Sequence, residues 1–226
     1  MAKNHARFGN RLLSRLSRAD FSLLEPDLEP TDLPLFKQLE TGNSRIASVY
    51  FIDRGFASVV AKGPGKRGIE VGIIGREGMT GLPVVLGDDR ARHETYIQAA
   101  GAGHCIRTAK LRQAIDQSVS LHQLLLHCVN AFLAQTTETA LANGRSKNEQ
   151  RLARWLVLAD DRIDGGELPL THNLLAIMLG VQRPSVTVAV HTLERKGLIN
   201  AGKGVITILD RKKLIKFSDG AYSPPD

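Results

Sequence analysis

The sequence predicts an α+β chain in three parts: a double-stranded β-helix or jelly-roll over residues 1–115, a long helix over 116–144 and a winged helix-turn-helix over 145–226. Up to about Thr108, short runs alternate apolar and polar residues between glycines, which is the period of strands. Beyond Lys110, apolar residues recur at steps of three and four, the period of helices. Towards the C-terminus, two short helical patterns flank one glycine and are followed by an alternating run with a glycine-rich turn.

With 226 residues and 42% hydrophobic content, the chain can bury one large core or two modest ones. It has no run of about 18 apolar residues and no uninterrupted apolar opening, so neither a membrane span nor a secretory signal is expected, and a cytoplasmic location is. Lys3, Arg7, Arg11, Arg15 and Arg18 precede any acid. A transit peptide would share that composition, but a solvated amphipathic helix around Leu12, Leu13 and Leu16 accounts for it more simply. Cys105 and Cys128 stand far apart without a CxxC partner, which gives no disulfide framework or thiolate zinc site and fits a reducing compartment. The formal net charge of +7 favours polyanionic partners without identifying one.

Within the first part, "ASVYFIDRGFASVVA", "RGIEVGIIGREGMTG" and "HETYIQAAGAGHCI" read as strands, and strands at this spacing build a compact barrel or roll. "GPGKRG" lacks the G-x-x-x-x-G-K-[ST] spacing of a phosphate loop and reads as a hairpin tip. No nucleophile, base and orienting acid can be assembled, so an enzyme is not expected.

From Lys110 one long amphipathic helix is expected, with Leu121, Leu124, Leu125, Cys128, Phe132 and Leu133 on its apolar stripe and no glycine or proline before Gly144. The stripe can cover the roll and pair with the same stripe of a second subunit in a two-fold seam. It turns polar at Gln135, Thr136, Thr137 and Glu138, where the seam is imperfect or adjoins a polar cavity. "ANGRSKNEQ" suits a hinge, and a further helix carries Leu152, Trp155, Leu156 and Leu158, so a second domain begins near Arg145. Trp155 reads as core rather than as a ligand platform.

In "LTHNLLAIMLGVQRPSVTVAVHTLERKGLI", Thr171 can cap a first helix whose Leu174, Leu175, Met178 and Leu179 are buried, and Gly180 can take a positive φ at the turn. Ala176 leaves room for a second helix that begins at Pro184 and buries Val186, Ala189, Val190 and Leu193. Ser185, Thr187, Val188, His191 and Thr192 then face elsewhere, and short side chains there keep the helix slim enough for a major groove. "AGKG" and "VITIL" make a two-stranded wing, with Lys203 at its tip placed to reach a phosphate. From Thr171 onward Arg183, Arg195, Lys196, Lys203, Arg211, Lys212, Lys213 and Lys216 outnumber the acids, which favours double-stranded DNA as partner. The alternative is a cytoplasmic ligand-sensing or protein-interaction module that does not bind DNA specifically.

A glycine-punctuated roll, a long helix and a winged helix-turn-helix, in this order and with these motifs, resemble the Crp-Fnr family of bacterial transcription regulators over nearly the whole chain. The resemblance implies a sensor roll like that of cyclic-nucleotide-binding domains and a homodimer paired through the long helix. It further implies a two-fold DNA site, contact with RNA polymerase, and switching about a hinge at 143–146. Carried onto this sequence, the base-reading positions are Arg183, Pro184 and Val188. Thr171, His172, Gln182 and Ser185 take backbone-contacting positions. Thr187, His191 and Lys203 complete the expected DNA-binding set.

The family's ribose- and phosphate-binding pairs are replaced here. "TGLPVVLGDDRARHETY" puts His93 and Glu94 near the expected Arg-Ser place, where Glu94 repels a cyclic phosphate unless Arg90 or Arg92 compensates. Arg92, His93, Thr136 and Thr137 are the effector-binding candidates, and a cyclic nucleotide is the effector the residues support poorly. No N-terminal cysteine cluster exists for an iron-sulfur centre, and His93, His104, His122, His127 and Cys105 match no metal-ligand spacing, so no metal is expected.

Overall fold

The computed structural model describes residues 8–63, 68–163, 166–220 and 222–224. Residues 64–67 of the "GPGKRG" segment, together with Lys3 and Arg7, lie outside the described residues. The chain forms two compact units: the first comprises the described parts of 1–59 and 74–133, and the second those of 60–73 and 134–225. Among the described residues, no single helix is long and apolar enough to cross a membrane.

Five strands make one sheet: β1 (Glu29–Leu33), β2 (Gln38–Glu40), β3 (Ser48–Lys62), β4 (Gly68–Ile74) and β5 (Glu94–Arg107). Their order is β1-β5-β3-β4, with β2 also on β5, and both β1 and β2 run antiparallel to β5. The expected α+β class holds, although a double-stranded β-helix is a loose description of this topology. The three long strands fall on the three quoted segments. The first two strands carry no periodic signal, because "EPTDL" is polar except for Leu33 and includes a proline, as a strand at the end of a sheet can. Along β3, residues 55–60 are all buried, so alternation disappears where both faces are covered.

The sheet is closely packed at two glycines of the first unit. A Cβ on Gly101 would lie 1.8 Å from the Arg54 carbonyl oxygen, and one on Gly55, at φ +79°, would lie 2.3 Å from that of Ala99. Only glycine permits this approach.

The core of the first unit gathers Leu12, Leu13, Leu16, Phe21 and Leu24 with Phe51, Met79, Leu111, Leu121 and Leu125. The expected solvated N-terminal helix is therefore corrected: α1 (Arg11–Ser14) and α2 (Arg18–Leu24) are short, and Leu12, Leu13, Leu16 and Leu24 are core. Asn10 explains the difference. Its buried side-chain amide donates to the Ile52 carbonyl at 3.0 Å and the Gly78 carbonyl at 2.9 Å, while its oxygen accepts the Leu13 N–H at 3.0 Å. A polar residue thus staples the segment inward.

After α3 (Leu82–Val85), the single helix expected from Lys110 is two, α4 (Thr108–Gln117) and α5 (Val119–Arg145). They break at Ser118, which is extended at φ −140° and ψ 111°. Its hydroxyl accepts the Leu121 N–H at 3.2 Å and donates to Asp20 at 2.5 Å, and Ser120 also donates to Asp20 at 2.9 Å. Serine hydroxyls compete with helix hydrogen bonds, and here they cap a new helix instead.

The second unit contains α6 (Asn148–Asp160), β6 (Glu167–Pro169), α7 (His172–Leu179), α8 (Arg183–Arg195), β7 (Ile199–Gly202), β8 (Val205–Ile208) and α9 (Arg211–Phe217). Trp155 is 4% exposed and is core as expected, and its indole N–H donates to the buried Glu70 carboxylate. Where the α5 stripe turns polar, the Gln135 amide pairs with both backbone groups of Ile73, at 2.7 and 3.1 Å. It also lines a small cavity with Glu70, Thr139, Arg154 and Trp155.

Gly101→Ala should prevent the roll from folding, read as loss of the cooperative thermal transition and of soluble expression. Burial opposes ionisation of Asp20, but hydrogen bonds from Ser118, Ser17 and Ser120 hold its carboxyl below the ordinary aspartate value. A depressed folded value adds stability above the unfolded value and loses it as pH falls through the folded one. Asp20→Asn should therefore lower urea stability at neutral pH by about 1–3 kcal/mol and flatten the acid limb of its pH dependence.

Candidate nucleic-acid interface

Thr171 caps α7 by accepting the Leu174 N–H at 3.3 Å, and the helix buries Leu175, Met178 and Leu179. It ends at Gly180, left-handed at φ 62°, and α8 then leaves at a bend of 102°. A Cβ at Gly180 would lie 2.7 Å from Ile69 Cδ1, the movable end of a side chain, so it is the left-handed backbone that calls for glycine here.

α8 starts with Gln182 extended at φ −76° and ψ 148°, without a side-chain cap, and with Pro184 in its first turn. Proline lacks an N–H where no intrahelical partner exists, so its place is stable. Val186, Ala189, Val190 and Leu193 are buried against the rest of the unit, in which α6 packs on α8. On the opposite side Gln182, Arg183, Pro184, Val188, His191 and Arg195 are exposed, while Ser185, Thr187 and Thr192 are half-buried.

Several outward polar groups already have partners. The Thr187 hydroxyl donates to the Arg183 carbonyl at 3.3 Å and stands 3.0 Å from His172 Nδ1. Thr192 donates to the Val188 carbonyl at 2.8 Å. His191 Nδ1 lies 3.0 Å from Glu194 Oε2, and the other oxygen of Glu194 accepts the Ala201 N–H at 3.1 Å. Glu194 thus ties α8 to the wing. Its position three residues after His191 is the only hint of this in the sequence, and the contact with Ala201 has none.

The wing turns at Lys203 and Gly204, with φ 51° and 79°, and Gly202 pairs with Val205 across it. Two successive positive φ values are those of a tight I′ hairpin, which matches strand twist and leaves Lys203 exposed at the tip. The expected two-stranded wing is corrected to three strands, because β6 pairs with β8 on the side away from β7. "ELP" is too short to show a period.

The positive residues divide. Arg211 is bound to Asp160 at 3.0 Å and to Asp161, and Lys213 lies 2.9 Å from Asp210, so these charges are locally answered. Lys196 lies over the Phe217 ring at 5.3 Å. Arg183, Arg195 and Lys203 stand exposed around the outer face of α8 and the wing tip.

The effector candidates fall in different units. Arg92 and His93 are exposed and consecutive just before β5, with Arg92 at 3.6 Å from Asp88. Thr136 and Thr137 lie on α5 in the second unit, half-buried and exposed respectively. The sequence reading missed Glu40, whose carboxylate accepts the Gly81 N–H and the Thr95 hydroxyl, each at 2.5 Å. Burial pushes this carboxyl up, against those hydrogen bonds and nearby His93. Only folding brings 40, 81 and 95 together. Among the described residues, no three His, Cys, Asp or Glu side chains are gathered to hold a metal ion.

Residues 150–217 match the family model of the Crp-like helix-turn-helix domain. No curated protein matches the chain. Among solved structures, FixK2 from Bradyrhizobium japonicum is 16% identical, with a TM-score of 0.72 over 84% of this chain and 96% of its own. The c-di-GMP-responsive global regulator CLP of Xanthomonas campestris is 15% identical, with a TM-score of 0.70 over 86% of this chain and 100% of its own. A CRP/FNR-family transcriptional regulator of Thermus thermophilus is 21% identical, with a TM-score of 0.64 over 84% of this chain and 98% of its own. At such identities the likeness is one of fold. Residues 150–217 thus form a Crp-like helix-turn-helix domain, and the chain as a whole has the fold of solved structures described as Crp/Fnr-family transcription regulators.

Proposed function

We propose that the protein is a sequence-specific transcription regulator that binds a two-fold DNA site as a homodimer, laying one α8 in the major groove of each half-site. The observation that carries this is the exposed Arg183 at the start of a helix whose inner face is closed and whose flank holds the Lys203-tipped hairpin. An arginine there can take guanine O6 and N7 as a bidentate acceptor pair. Gln182, Ser185 and Thr171 offer donors to the sugar-phosphate backbone, with His172 held by Thr187 beside them. Lys203 and Arg195 supply charge for neighbouring phosphates.

The homodimer is supported by α5. Leu126, Leu133 and Leu141 are 36%, 61% and 55% exposed, at steps of seven and eight residues on one helix. Leucines on that spacing suit the matching stripe of a second copy, as in a two-stranded seam.

For the roll, we take the effector to be something other than an anionic cyclic nucleotide. Glu40 places a carboxylate on the Gly81 N–H, and Glu94 adds a second acid beside His93, an arrangement that disfavours a phosphate. Contact with RNA polymerase and effector-driven switching rest on the family likeness, and no catalytic role is assigned.

Selection of bound sequences from random DNA by the full-length protein should enrich one inverted repeat. A binding module of another kind would show no preference over scrambled DNA. On the selected site, Arg183→Ala should weaken binding by about 1–3 kcal/mol and relax preference at one base per half-site. Lys203→Ala should weaken all sequences alike and make the salt slope shallower. Leu133→Glu should shift the protein from dimer to monomer in sedimentation velocity, with loss of operator affinity.

A further inference from the structure

We infer that the centre of α8 reads the C5 methyl group of thymine through Val188. The inference deepens the DNA-binding reading and rests on it. Val188 is 65% exposed in a helix whose four inner apolar residues are each 1% exposed or less. A β-branched residue on a solvent face weakens a helix and hydrates apolar surface, so the fold itself gains nothing from it.

Its surroundings narrow what it can recognise. Pro184 lies four residues before Val188 and Thr192 four after, so the three share one helix face. Pro184 is exposed and has no polar side-chain atom. The Thr192 hydroxyl donates its proton to the Val188 carbonyl, and the Thr187 hydroxyl beside them donates to the Arg183 carbonyl with His172 Nδ1 near it, so the protons of both are engaged within the helix-turn-helix. At Pro184 and Val188 the stripe therefore presents methyl and methylene groups between polar ends at Arg183 and His191.

In the major groove, adenine, guanine and cytosine show only donors and acceptors at their edges, and thymine alone adds a methyl group. An apolar stripe set against the other edges would strip water from groups it cannot bond, at a cost. Thymine is the base that such a surface favours. Val188 stands five residues beyond Arg183, about 7.5 Å along the helix, which corresponds to about two base-pair steps. The half-site should therefore hold a thymine about two base pairs from the guanine that Arg183 takes.

The test uses the full-length protein and the operator recovered by random-sequence selection. Each thymine is replaced in turn by uracil, which removes the C5 methyl and keeps base pairing. Affinities are read by fluorescence anisotropy at fixed salt. One position per half-site should weaken binding about fourfold, and replacement in both half-sites about fifteenfold, the value of one buried methyl per site. Val188→Ala should bind the thymine operator more weakly than wild type and lose the thymine preference at that position. Specific binding by wild type that is unchanged at every uracil position would overturn the inference while leaving the DNA-binding reading intact. Absence of any selected sequence would overturn both. A folded Val188→Ala that keeps the thymine preference would also overturn the inference, and the wild-type comparison keeps it open to refutation even if that variant does not fold.

Discussion

The burial of one face of α8 is the constraint from which the rest of the DNA-binding half follows. Val186, Ala189, Val190 and Leu193 are each 1% exposed or less, and burying a valine- or leucine-sized side chain stabilises by about 1.5–3 kcal/mol. The helix-propensity cost of a valine or threonine is only a few tenths of a kcal/mol, so packing decides. Once the inner face is closed, Arg183, Val188 and His191 are left on the exposed side. Stiff, short side chains can then be displayed with little entropy left to lose on binding.

That display depends on small polar ties more than on charge. Glu194 joins α8 to the wing through the Ala201 N–H, and Thr187 stands between the Arg183 carbonyl and His172. Each tie engages a hydroxyl proton or a carboxylate oxygen and fixes the geometry of the groups around it. Arg211 and Lys213 are answered by neighbouring aspartates. Arg183 and Lys203 remain exposed at the start of α8 and at the wing tip, while Arg195 and Lys196 are exposed at the far end of α8 and Lys212 and Lys216 on α9.

The first unit follows the same logic with polar groups inside. Asn10, Asp20 and Glu40 each gather partners from distant parts of the chain, and each fixes a local feature: the inward N-terminal segment, the break before α5, and the loop leading into α3. A buried or half-buried polar group is stable only when satisfied, so each such cluster specifies one arrangement of its loops. Glu40 thereby sets a carboxylate on the Gly81 N–H and the Thr95 hydroxyl.

The sequence by itself determined the elements with strong periods and clear punctuation: the three long strands, the helix bearing Leu121 and Leu125, Trp155 as core, and the two helices about Gly180. These are local properties, since spacing and the conformational range of glycine and proline act within a few residues. Only the tertiary structure decided the strands at "EPTDL" and "ELP", the burial of Leu12 and Leu13, the break at Ser118, and the partners of Glu40, Thr187 and Glu194. Short strands acquire their hydrogen bonds from neighbours far along the chain, and a polar side chain's partner is set by which backbone folding brings beside it. Neither leaves a repeating pattern in the residues themselves.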